Sequence, residues 1–125
     1  MQQREKTLSG EDAEKLALDY LKKQGLGLLA SNFRTARGEI DLVMEDNNQL
    51  VFVEVRYRQH SDFGSAAESI TRQKCQRLTA AALAYMQEQK LTNRVSARFD
   101  AVAISPPGVN SGPGFTINWI KNILQ

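Results

Sequence analysis

The sequence predicts an α/β protein with one central mixed β-sheet flanked by helices, its elements running helix, three strands, helix, two strands. Three observations carry this. Apolar residues recur at helical spacing over residues 9–24 and again over 67–89. Between them lie β-branched and aromatic runs, of which GEIDLVMEDNNQLVFVEVRYR (38–58) is the densest. A last pair of such runs, RFDAVAI (98–104) and FTINWI (115–120), follows the second helix.

The first helix is framed by Ser9, with Asp12 three positions on in the manner of a capping box, and by Gly25 as its stop. Ala13, Leu16, Ala17, Tyr20 and Leu21 form its apolar stripe, with Glu14 at the border and Glu11 nearly opposite. LGLLASNF (26–33) is the first strand and RTARG a turn. Residues 39–44 are the second strand, EDNN has hairpin-turn chemistry, and 50–58 are the third. QHSDFGSA is a loop, and the helix over Ala67–Gln89 buries Ile70, Leu78, Ala81, Ala82, Tyr85 and Met86. SPPGVNSGPG is a loop too short to separate domains. Residues 1–8 are expected to be a flexible N-terminus and 9–125 a single domain.

With 42% hydrophobic and 24% charged residues the composition is that of an ordinary globular chain, and a net charge of +2 neither marks nor opposes a nucleic-acid binder. The charge is unevenly spread, because residues 51–125 hold 9 Lys/Arg against 5 Asp/Glu. A single cysteine, Cys75, excludes an internal disulfide and fits a reducing compartment. MQQREKTLSGEDAEK has no apolar core of a signal peptide, and no run approaches the ~20 apolar residues that span a bilayer. The expected location is cytoplasmic, without membrane attachment.

Asp41 and Glu54 are the unusual residues. A carboxylate among β-branched and aromatic neighbours is costly unless paired with an ion pair, a metal ion or a basic ligand group. Strand alternation puts Leu50, Phe52, Glu54, Arg56 and Arg58 on one face and Val51, Val53, Val55 and Tyr57 on the other, while Glu39, Asp41 and Val43 share a face. A hairpin turning at EDNN brings Asp41 within reach of Glu54, and neighbouring carboxylates repel unless one is protonated or a cation lies between them. Hard oxygen ligands suit Mg²⁺ or Mn²⁺, and Arg56 points into the same space, where it can grip a phosphate. The structural alternative is an Asp41–Arg56 pair across the strands.

Glu14, Asp41 and the triplet Glu54-Val55-Arg56 resemble the PD-(D/E)XK nuclease superfamily. The chain is similar to archaeal Holliday-junction resolvases and, more closely, to the YraN-like family of small bacterial endonuclease-like proteins. Carrying the resemblance are E-x-x-A-x-x-Y-L at 14–21, GEIDLV at 38–43, VFVEVR at 51–56, GSAAESIT followed by Lys74 at 64–74, and RFDAVAI at 98–104. It implies a restriction-endonuclease-like fold and metal-dependent cleavage of structured or branched DNA. It further implies that Asp41 and Glu54 ligate the Mg²⁺ or Mn²⁺ with the backbone carbonyl of Val55, and that Glu14 completes the acidic cluster directly or through water. Lys74 would approach the scissile phosphate or the DNA backbone. A homodimer is expected by analogy with the resolvases. In one respect the chain departs from the pattern: the superfamily has Lys two residues after the second carboxylate, and here that residue is Arg56. Arginine stays protonated and cannot act as a base, though it stabilises developing charge, and Lys74 is the candidate for the missing ammonium.

The run TRQKCQR (71–77) puts Arg72, Lys74 and Arg77 on one helix; they are expected, with Arg56 and Arg58, to contact phosphates or else to form a solvated face. Glu39 is read as the partner of an arginine and Asp100 as a structural acceptor. Cys75 with His60 lacks an orienting third group for thiol catalysis. The competing functions are a catalytically degenerate DNA-binding module in a repair or DNA-uptake complex, and an adaptor whose acidic cluster is a salt-bridge network.

Overall fold

Ser9 starts helix α1 (Gly10–Lys23) in extended conformation, its side-chain oxygen accepting from the Asp12 amide. The helix stops at Gly25, whose φ of +102° suits glycine. There the Gly25 amide donates to Lys22 and the Leu26 amide to Leu21, a Schellman closure with both leucines buried. The computed structural model describes residues 9–57, 71–106 and 114–124. The expected flexible N-terminus, Arg58, His60, Ile70 and all of GSAAESI therefore lie outside the described residues.

The strands are β1 (Gly27–Arg34), β2 (Glu39–Asp46), β3 (Gln49–Tyr57), β4 (Ala97–Ser105) and β5 (Thr116–Ile120), with helix α2 (Arg72–Glu88) between β3 and β4. They form one sheet in the order β1-β2-β3-β4-β5, and only the β3·β4 pair is parallel. The element order is the one expected. The EDNN turn is a two-residue connection in which Asn47 and Asn48 both have positive φ, the conformation that matches strand twist and that asparagine tolerates.

One expected boundary is corrected. The second helix begins at Arg72 rather than Ala67, because Thr71 is extended and its hydroxyl accepts from the Lys74 amide. That cap satisfies a free helical donor and ends any continuation toward the N-terminus.

The sheet is covered on both faces, as a sheet containing a parallel pair requires. On one side Ala13, Ala17 and Leu21 of α1 meet Leu42, Met44, Val51, Val53, Val102 and Ile104. On the other, Leu78, Ala81, Ala82 and Tyr85 of α2 meet Ile40, Val43, Leu50 and Phe52, with Phe33 and Phe52 edge-on to Tyr85. Along β3 the alternation holds: Val51 and Val53 face α1, and Leu50 and Phe52 face α2. Along β2 it fails, since Ile40 and Val43 both face α2. The expected shared face of Glu39, Asp41 and Val43 is therefore interrupted.

A polar knot lies inside the β4 end of this core. Asp100 is fully buried and accepts from Arg98 Nε, from the Trp119 indole at 2.9 Å and from the Asn122 amide at 2.9 Å. Arg98 reaches on to Asp46 at 3.0 Å and Gln49 at 2.8 Å, tying β4 to the hairpin turn. Asp100 thus has a structural role, as read from the sequence. Asp100→Ala takes the acceptor from Arg98 Nε, the Trp119 N–H and the Asn122 amide, leaving Arg98 only Asp46 and Gln49. Urea unfolding is expected to show a loss of about 3–5 kcal/mol, and a loss below about 1 kcal/mol would contradict this role.

Candidate metal centre and its basic cleft

The hairpin ladder ends where the candidate site begins. Pairing of β2 with β3 runs from Asp46↔Gln49 to Leu42↔Val53 and goes no further. Beyond it the Val55 amide donates to Asp41 Oδ2 at 2.8 Å, so a side chain takes the place of a backbone partner. The parting strands are matched by a kink in β1. Asn32 has a φ of +52° and lies between the Ser31↔Leu42 and Phe33↔Ile40 pairs, level with Asp41. A left-handed residue there breaks the regular pleat and re-aims the start of β2, which accounts for the interrupted alternation.

Asp41 lies against Glu54 at this fork. Burial first, then the neighbouring Glu54 charge, raise the Asp41 carboxyl from 3.8 to about 7. The Val55 N–H pulls the other way, and Glu14 adds a further upward push. Glu54 is only 8% exposed. Its Oε2 receives Lys74 Nζ at 2.9 Å and Arg56 Nη1 at 3.5 Å. Arg56 therefore sits against Glu54, and no Asp41–Arg56 ion pair forms. Glu39 pairs with Arg34 at the exposed rim, at 3.3 Å, as an arginine partner.

These residues border an open cavity of about 1060 Å³ between β2, β3 and the first two turns of α2. Asp41, Glu54, Val55, Arg56, Lys74 and Arg77 all line it. Glu14 does not: it reaches Asp41 by its charge from α1 and belongs to no three-ligand group. Arg72 instead borders a neighbouring groove with Cys75.

Arg34 and Arg37, which the sequence reading left in a turn, also line the cavity. They are held in place by Thr35. Its hydroxyl accepts from the Arg37 and Gly38 amides and donates to the Gly38 carbonyl. Gly38 is pressed against the Arg77 carbonyl of α2, so even a Cβ there has no room. Two arginines, Arg34 and Arg37, on either side of Thr35-Ala36 just before GEID were the available signal.

Among the described residues no three His, Cys, Asp or Glu side chains converge to cage an ion. Asp41 and Glu54 nevertheless fit a divalent cation. Two carboxylates set side by side repel, and a hard cation between them, keeping waters in its remaining positions, relieves that repulsion. Val55 borders the same space and Glu14 adds negative charge behind it. Without a cation the pair is a burden on stability. The folded pKa of Asp41 lies above its unfolded value, so its favourable contribution is complete below about pH 4 and is lost as pH rises to about 7. Asp41→Asn keeps the acceptor for Val55 and removes the charge. In EDTA at pH 8 the variant is expected to be more stable than wild type by about 1–3 kcal/mol, the gap closing toward pH 4. Thermal melts across that range check it, and parallel pH profiles for the two proteins would contradict it.

Comparison with known proteins identifies the chain's family. The model of the uncharacterised protein family UPF0102 matches residues 13–104, a span that holds Glu14, the hairpin, α2 and all of β4 but Ser105. A UPF0102 protein of Coxiella burnetii (strain RSA 331 / Henzerling II) is 45% identical over 116 residues, covering 93% of this chain and 91% of the relative. One from Pseudomonas syringae pv. syringae (strain B728a) is 42% identical over 125 residues, 100% of this chain and 99% of its own length. A third, from Vibrio parahaemolyticus, is 41% identical over 116 residues, with 93% and 91% covered. With family match and full-length relatives in agreement, the chain belongs to the UPF0102 family, which is YraN-like.

Proposed function

We propose that this protein is a metal-dependent endonuclease hydrolysing phosphodiester bonds in structured or branched DNA in the cytoplasm. The observation that carries the reading is half-buried Asp41 beside buried Glu54 in a cleft lined by Arg34, Arg37, Arg56, Lys74 and Arg77. Acid at the centre and base at the rim suit a substrate that brings a phosphate to a cation. When bound, Mg²⁺ or Mn²⁺ would supply charge neutralisation at the phosphoryl oxygen and a more acidic water.

The protein's own residues do the rest. Asp41 and Glu54 fix the cation, and the Val55 amide fixes Asp41. Arg56 is a permanent cation two residues after Glu54, suited to gripping a phosphate and stabilising charge that develops there. Lys74, from α2, brings a compact ammonium to the same Glu54 oxygen, at 2.9 Å. In this reading it takes the place of the superfamily lysine that Arg56 replaces, orienting water or phosphate. A homodimer would present two such clefts to a two-fold junction.

A second reading has its own observation. Glu54 is already met by both Lys74 and Arg56, so its charge is compensated without a metal, as in a degenerate binding module.

Cleavage of labelled four-way junction, flap and linear DNA in Mn²⁺ separates the two. Wild type is expected to cut, with Glu54→Gln and Lys74→Ala each slowed by about 100-fold or more. Binding without cutting by wild type favours the module. Undiminished cutting by Lys74→Ala removes its catalytic role.

Metal binding should also carry a proton signature. Mn²⁺ at 100 times its Kd is expected to stabilise the protein by about 2.7 kcal/mol at pH 8. The stabilisation should shrink below about pH 7, where the cation must displace the Asp41 proton, and vanish in Asp41→Asn. A melting shift that is the same at pH 6 and pH 8 would argue against cation binding at Asp41.

A further inference from the structure

A second groove, of about 710 Å³, adjoins the carboxylate cleft. The two share Thr35, Ala36 and Arg37 of the β1–β2 turn, so Arg37 stands on the ridge between them. The turn forms one wall of the second groove and the outer face of α2 the other, with Arg72 at the first turn and Gln76, Thr79 and Leu83 farther along. Among the described residues its lining includes two arginines and no carboxylate, whereas the cleft next to it holds Asp41, Glu54 and Glu39. Leu83 is 58% exposed, an apolar side chain left in solvent beside cationic and amide groups.

We infer that this groove is a second nucleic-acid subsite, taking the DNA strand that runs on past Arg37 from the carboxylate cleft. The inference rests on the reading of the protein as one that acts on DNA. Its occupant follows from charge and continuity. A polyanion leaving the carboxylate cleft past Arg37 enters a channel where like charge no longer opposes it and Arg72 meets its next phosphates. Leu83 and the neighbouring alanines offer apolar surface to an unpaired base, while Gln76 and Thr79 offer neutral hydrogen-bonding groups. The turn wall is rigid by construction, through the Thr35 hydrogen bonds and the contact of Gly38 with α2.

The test is fluorescence-anisotropy titration of a duplex with a single-stranded overhang, in EDTA, across about 50–200 mM salt. Arg72→Ala and Leu83→Glu probe the second groove alone, and Arg77→Ala probes the carboxylate cleft. Arg72→Ala is expected to lower the slope of log affinity against log salt by about 0.7–0.9, the contribution of one phosphate contact. Leu83→Glu, at an exposed position that tolerates the change, is expected to weaken binding by bringing a negative charge to the strand. Circular dichroism and melting confirm that the variants fold. Either of these two variants binding like wild type, while Arg77→Ala binds more weakly, overturns the subsite and leaves the proposed function standing. No DNA binding by wild type even at the lowest salt overturns both.

Discussion

The parallel pairing of β3 with β4 is the constraint from which the rest of the architecture follows. Parallel neighbours cannot be joined by a tight turn, so the chain must cross from the end of β3 to the start of β4, and α2 is that crossover. The helix therefore starts near the carboxyl end of β3, which is where Glu54 and Arg56 stand. Lys74, in the first turn of α2, arrives over Glu54 as a result of this topology. Open α/β sheets generally bind ligands at the carboxyl ends of their strands for the same reason.

Much of this was legible because the signals were local. The Asn-Asn turn sets the hairpin register, and the register alone brings Asp41 toward Glu54. Ser9, Gly25 and the apolar stripe frame α1 without reference to any other element. Alternation along β3 separated the Glu54 face from the Val55 face correctly, since β4 stays paired with β3 through Tyr57 even where β2 has parted from it. It misled along β2, where the end strand β1 kinks at Asn32; asparagine tolerates a left-handed backbone, but within a strand-like run it does not by itself announce one.

What stayed hidden depended on distance along the chain. Arg98 and Asp100 are strand neighbours on one face, but Asp46, Gln49 and Trp119 come to them only through the sheet order. Arg34 and Arg37 looked like ordinary turn residues because their position against Arg77 is set by the missing side chain of Gly38. The second helix was drawn too long because a helical periodicity does not show where a threonine will turn its hydroxyl back on the chain.

The split origin of the cleft bears on how it forms. Asp41 and Glu54 come from one hairpin, a local unit that can close in microseconds. Lys74 and Arg77 reach it only after α2 has formed and β4 has docked along β3, a long-range closure that is slow by comparison. A nascent hairpin therefore carries two unscreened carboxylates at its open end until the helix brings its cations. The same repulsion that suits the folded site to a cation opposes closure of the strand ends until α2 supplies its cations.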